Sequence, residues 1–192
     1  MIERYGTIIA DPPWQYRNAK TGGSLSSGAS QKYATLSTAE IGALPVHEIA
    51  AENAILFLWA TSPMLPDALA VMSAWGFTYK GSLVWVKTSA DSTPIRGLGY
   101  HFRNGVEYLL FGIRGRVPAL RCQLSNVVLA PVRGHSAKPD YMWQRIEGAL
   151  AGREDLEPRL ELFCRGTPRV GWHGWGFEAE NGVSLPALEA TV

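Results

Sequence analysis

Thr7-Ile8-Ile9-Ala10-Asp11-Pro12-Pro13-Trp14 is an apolar run that ends abruptly in a carboxylate, two prolines and an indole. Small and β-branched residues without polar alternation predict a strand buried on both faces. Pro12 and Pro13 fix φ, lack an N–H and bias the residue before each toward an extended backbone. Asp11 is therefore expected to stand stiffly at the carboxyl end of a strand, the end where open α/β sheets bind ligands. Such a carboxylate suits chemistry on an amine conjugated to an aromatic ring. It can accept one amino hydrogen and the Pro12 carbonyl the other, which favours a pyramidal nitrogen with its lone pair directed at an electrophile. Trp14 can stack on the ring.

The rest of the chain alternates strand-like and helix-like segments. Ser37-Thr38-Ala39-Glu40 is a capping box ahead of Ile41 and Leu44 and predicts a short helix. Residues 54–59 form a continuous apolar run, hence a buried strand. Leu65, Leu69, Met72 and Trp75 follow at helical spacing and stop at Gly76. Residues 82–87, 106–113, 126–129 and 160–164 read as further strands, and Met142, Ile146 and Leu150 mark a helix opened by Pro139. This order predicts an α/β fold with a largely parallel sheet. Residues 15–36, rich in Gly, Ser and Thr, read as a lid over the site or a disordered excursion, and 88–105 as a second long loop.

The 192 residues suit one domain, and 46% hydrophobic content suits an ordinary core. A net charge of +1 exerts no global pull on nucleic acid. Residues 96–133, however, carry six arginines against the single acid Glu107. That stretch is either a solvated face or a phosphate-contacting one. Two cysteines without C-x-x-C spacing and four scattered histidines predict neither a disulfide scaffold nor a metal site. No apolar run reaches membrane-span length and no signal-peptide pattern follows Met1, so a soluble, cytoplasmic protein is expected.

Several side chains stand out as binding candidates. Trp59 and Trp85 lie near strand ends, where they either pack the core or wall a pocket for a flat base. Lys87 closes the same strand as Trp85. Glu107, a carboxylate beside an otherwise apolar strand, needs a partner, which an arginine would supply. Lys138 sits at a helix start, where the dipole disfavours a cation, so it either meets a ligand carboxylate or is a solvated lysine.

The Asp-Pro-Pro-Trp motif resembles that of S-adenosylmethionine-dependent amino-methyltransferases, and the chain is similar to the MT-A70 family of adenine-N6 methyltransferases over residues 5–178. Tyr33-Ala34-Thr35-Leu36-Ser37 resembles the family's Tyr-x-Thr-Met-Ser, His135-Ser136-Ala137-Lys138-Pro139 its His-Ser-x-Lys-Pro, and Glu161-Leu162-Phe163-Cys164-Arg165 its Glu-Leu-Phe-x-Arg. Gly171 to Glu178 resembles the closing Gly-Trp-x-x-Trp-Gly-Asn-Glu, with Phe177 where an asparagine is common. The resemblance implies a Rossmann-like fold in permuted motif order, with one domain over 1–178 and a frayed tail over 179–192. It implies Asp11, Pro12, Pro13 and Trp14 as the catalytic motif, and Asp11, Ser136, Lys138, Arg165 and Glu178 as cofactor-binding. Tyr33, Trp59, Trp85, Lys87 and Glu107 fall on the acceptor side. The implied activity is methylation of adenine N6 in nucleic acid, DNA in preference to RNA. The alternatives are a catalytically silent nucleic-acid-binding subunit of the same fold and an N4-cytosine amino-methyltransferase.

Overall fold

The computed structural model describes residues 3–16, 35–95, 97, 99, 101–120, 125–133 and 137–189. Strand β1 (Tyr5–Ala10) is wholly buried, as its unbroken apolar sequence requires. It lies between β2 (Ala50–Thr61) and β6 (Arg159–Leu162), parallel to both. With β3 (Thr78–Thr88), β4 (Val106–Arg114), β5 (Val127–Pro131) and β8 (His173–Trp175) they form a seven-stranded sheet in the order β5-β3-β4-β2-β1-β6-β8. Only β4 runs against the others, pairing antiparallel with β2 and β3. The predicted α/β fold with a mostly parallel sheet is the one observed. A two-stranded parallel ribbon of β7 (Arg165–Gly166) and β9 (Glu178–Ala179) forms a separate small sheet.

The two faces of the sheet are covered by different helices. On one, α1 (Thr38–Ala43), α2 (Val46–Ile49), α3 (Leu65–Ala74) and α5 (Pro186–Glu189) bring Ile41, Val46, Ile49, Val71, Met72 and Leu188 onto Ile8, Leu56, Leu58, Leu160 and Leu162. On the other, α4 (Asp140–Leu150) lays Met142, Ile146 and Leu150 against Ile9, Ile55, Phe57 and Trp59. Each fully buried aliphatic side chain contributes roughly 1.5–3 kcal/mol of burial free energy. The path from β1 to β2 uses the first face, and the path from β5 to β6 uses the second. The carboxyl ends of β1 and β6 therefore flank a topological switch point, where a crevice for ligand opens.

Several boundaries and one larger expectation are revised. β2 and β3 start four residues before the predicted 54 and 82. Pro139 is the N-cap of α4 rather than its first residue, so Lys138 precedes the helix. The second long loop expected over 88–105 carries backbone contacts among its described residues: Thr88 bridges Pro94, and Gly97 N–H donates to the Asn104 carbonyl at 3.1 Å. The expected frayed tail is also corrected. Leu185 and Leu188 are buried in the core, Val183 N–H donates to the Gly174 carbonyl at 2.8 Å, and Glu189 accepts from the Leu185 N–H at 2.9 Å. Two leucines three apart make an apolar stripe that a short helix can bury.

Candidate active site

The site grows out of the end of β1. Asp11 follows the last β1 residue, and its N–H reaches the Leu162 carbonyl of β6 at 3.4 Å. The Pro-Pro turn is tied on both sides. Pro12 carbonyl accepts the Trp14 N–H at 2.8 Å, closing a three-residue turn, and Pro13 carbonyl accepts the Leu36 N–H at 2.9 Å. The residues on either side of the 15–36 segment are thereby held together. The Pro12 carbonyl lies outside any ladder, as the two prolines require, and a carbonyl has a second lone pair with which to receive an acceptor.

Sheet register gathers the remaining side chains. Ala10 pairs with Leu58, so Asp11 is level with Trp59 on the α4 face. Because β4 is reversed, its first residues lie at the carboxyl edge of the parallel strands. Glu107 stands opposite both Thr61 of β2 and Trp85 of β3, and Lys87 shares the face of Trp85. Lys138 enters from the segment leading into α4.

These residues form an alternating chain of charges. Lys138 Nζ lies 2.6 Å from Asp11 Oδ2 and 3.5 Å from Glu107 Oε2, and Lys87 Nζ lies 2.6 Å from Glu107 Oε1. Lys138 and Glu107 side chains are each only 11% exposed, whereas that of Asp11 is 40% exposed on the open side. Glu107 thus finds two lysines, where the sequence suggested an arginine or an acceptor. Burial pushes the Asp11 carboxyl above the ordinary carboxylate range, with the Lys138 ammonium opposing that rise. Burial acts to lower the Lys138 pKa, but Asp11 and Glu107 outweigh it and hold the ammonium above its usual value.

The aromatic residues are placed differently from expectation. Trp14 is 6% exposed in the core and its indole N–H donates to the Trp59 carbonyl at 3.0 Å. It is a packed brace under the turn rather than an open stacking face. Trp59 and Trp85, each 2% exposed, meet edge to face at 6.4 Å. Lys138 Nζ sits 5.1 Å from the centre of the Trp59 ring, and Lys87 Nζ 5.2 Å from that of Trp85. The two indoles are a floor beneath the lysines, not open pocket walls, because alternation on a doubly covered sheet drives them into the core.

On the other side of the switch point, Arg165 and Glu178 face each other across β7 and β9, with Nε to Oε2 at 2.8 Å and both side chains about half-exposed. A cavity of about 370 Å³ lies beside this ribbon, lined by Trp175, Gly176, Phe177, Ala179, Gly182, Val183 and Glu189. Asp11 and Lys138 do not line it. Phe177, which replaces the common asparagine, lines it and remains 70% exposed. Tyr33 and Ser136 lie outside the described residues.

Two further groups lie near Asp11, and Tyr16 belongs to none of the quoted motifs. Tyr16 hydroxyl and Thr61 Oγ1 are 2.8 Å apart, and burial raises the Tyr16 pKa. Glu161 pairs in register with Ile9 of β1, and its carboxyl is raised by burial. Only nearness to Trp14 in sequence could have pointed to Tyr16. Cys164 is a buried thiol held up to about 12 by burial, which makes it a packing residue. Among the described residues no three His, Cys, Asp or Glu side chains are grouped to hold a metal ion, and no helix is long and apolar enough to cross a membrane.

The family model MT-A70 matches residues 5–178. The type II methyltransferase M.MunI of a Mycoplasma species is 31% identical over 207 aligned positions, covering 96% of this chain and 82% of that protein. A putative N(6)-adenosine-methyltransferase MT-A70-like protein of Medicago truncatula is 28% identical over 96% of this chain. The human N(6)-adenosine-methyltransferase catalytic subunit METTL3 is 27% identical over 86% of it. The chain spans only about a quarter of these two longer proteins, 28% and 26% of their lengths. With Asp11-Pro12-Pro13-Trp14 at the end of β1 and the matching segments in order around it, the chain belongs to the MT-A70 family and is an enzyme of the methyltransferase class.

Proposed function

We propose that the protein transfers a methyl group from S-adenosylmethionine to the N6 amino group of adenine in nucleic acid, with DNA as the substrate. The single observation that carries this reading is the position of Asp11, a partly open carboxylate at the switch point, paired to a buried lysine at 2.6 Å. The DNA assignment is supported by M.MunI, a type II methyltransferase matched over most of both lengths.

The donor set fits the cofactor. Lys138 offers an ammonium for its carboxylate, and Glu178 offers a half-exposed carboxylate for ribose hydroxyls, with Arg165 holding that carboxylate in place. Ser136 joins Lys138 by motif position. When bound, S-adenosylmethionine supplies a methyl carbon activated by a cationic sulfur.

The protein's own residues then act on the amine. Lys138 keeps the Asp11 carboxylate ionised against the cost of burial. Asp11 and the Pro12 carbonyl each accept an amino hydrogen, withdrawing the nitrogen lone pair from ring conjugation and directing it outward. Glu107 and Lys87 hold Lys138 in register, so the carboxylate does not need to reorganise as charge develops. On taking up a methyl group the nitrogen would give up its proton to solvent on the open side of Asp11, the sulfur of the cofactor leaving as a neutral thioether. No base with a strongly shifted pKa is required, and orientation supplies most of the rate.

The test is transfer of labelled methyl groups to unmethylated DNA, RNA and free nucleosides, followed by mass spectrometry of the nucleosides. N6-methyladenine in DNA is the expected product. N4-methylcytosine would overturn the acceptor assignment, and label in RNA alone would overturn the DNA assignment.

A further inference from the structure

The outgrowth between β3 and β4 carries an exposed aromatic ring directly beyond the polar chain of the site. It leaves β3 after Thr88 and re-enters β4 at Val106, next to Lys87 and Glu107, which form an ion pair at 2.6 Å. Its base is held by backbone bonds: Lys87 N–H donates to the Gly105 carbonyl at 2.8 Å and Ile95 N–H to the Lys87 carbonyl at 2.9 Å. Farther out, Gly97 N–H meets the Asn104 carbonyl. At the tip Gly99 packs so closely on the Phe102 carbonyl that a Cβ there would overlap it. The tip is therefore closed by backbone contact. Phe102 projects from it 86% exposed, flanked by exposed His101 and Arg103. From Ser92 to Val106 the segment contains no Asp or Glu.

A lone exposed phenylalanine is common on protein surfaces. This one differs in being fixed by its backbone, bordered by a cation, and rooted at both ends in the candidate active site. In a paired duplex one hydrogen of adenine N6 is engaged by the partner base, so a base that gives both amino hydrogens to Asp11 and the Pro12 carbonyl has to leave the stack, which costs a few kcal/mol. Apolar side chains inserted between base steps are a recurrent way to offset that cost. Resting on the proposed function, we infer that Phe102 is a wedge: it enters the base stack of duplex DNA beside the target adenine and occupies the gap while that adenine is at Asp11. Arg103 contacts the neighbouring phosphate.

The experiment compares the full chain with Phe102→Ala and Phe102→Trp on one unmethylated genomic DNA, used native and heat-denatured. A wedge predicts that Phe102→Ala lowers label transfer to native DNA roughly tenfold, about the effect of one lost base stack, with transfer to denatured DNA unchanged. Phe102→Trp restores transfer to native DNA. The inference is overturned if both substrates lose equally, if neither loses, or if the wild-type protein methylates only denatured DNA. A wild-type protein inactive on both forms would instead remove the proposed DNA activity, and the wedge with it.

Discussion

Lys138 Nζ lies 2.6 Å from Asp11 Oδ2 although the two residues are 127 positions apart in the chain. An ammonium thus holds one oxygen of the carboxylate proposed to receive the acceptor's amino group. Glu107, 3.5 Å from the same nitrogen, is a second anchor that lets Lys138 stay in place when an amine arrives. The relationship depends on α4 packing over the sheet face on which Asp11 stands.

Removing that cation should separate two roles. Lys138→Met leaves Asp11 without its partner, so the carboxyl pKa rises further and transfer at neutral pH falls by about a hundredfold or more. The loss should be partly recovered at higher pH, where Asp11 ionises unaided. Steady-state rates across pH, with cofactor affinity measured by calorimetry, would check this. A pH-independent loss would show that Lys138 acts on the cofactor alone.

For the wild-type protein, the sign of the pH dependence follows from the raised Asp11 pKa. The ionised form accepts the amino hydrogen and the protonated form does not. The value of kcat/KM should therefore fall as pH drops through an apparent pKa above the usual carboxylate value of about 4. Asp11→Asn should give a low, flat profile over the same range. An identical acid limb in Asp11→Asn would assign the titration elsewhere.

Trp14 should behave as a brace. Trp14→Phe removes the indole N–H that meets the Trp59 carbonyl at 3.0 Å and leaves a buried acceptor unpaired. The expected cost is about 1–3 kcal/mol in urea unfolding. An acceptor KM that rises with no loss of stability would restore the stacking role for this ring.

The pair Arg165 and Glu178 should matter for ligand rather than fold. Both side chains are about half-exposed, so Glu178→Gln should change stability by less than about 1 kcal/mol. Affinity for S-adenosylmethionine should drop roughly tenfold by calorimetry. An unchanged affinity would remove Glu178 from the cofactor-binding set.

The C-terminal segment gives a stability prediction. Leu188 is fully buried, so Leu188→Ala should destabilise by about 2–4 kcal/mol in denaturant unfolding. A change under 0.5 kcal/mol would mean that α5 contributes little to the core.

Much of the site was readable because the motif residues act locally. Two prolines stiffen the residue before each wherever they stand, and a strand with no polar alternation is buried on both faces, so Asp11 was placed before any tertiary contact was known. Glu107 and Lys138 were also conspicuous, the one as an acid at the start of an apolar strand, the other as a cation ahead of a helix. What could not be read was the partner of each. The residues pointed Glu107 toward an arginine and the resemblance toward the acceptor, and the reversed direction of β4 brings it to two lysines.

Residue order alone therefore determined the α/β alternation, the rigid carboxylate at a strand end and the candidate residues, because backbone preference and hydrophobic period are local properties. Tertiary structure alone decided that Trp14, Trp59 and Trp85 lie buried, that Leu188 is core, and that four charges from β1, β3, β4 and the approach to α4 form one chain. Those outcomes depend on strand order, strand direction and register. These are set by the burial of the whole sheet at once, and no single segment encodes them.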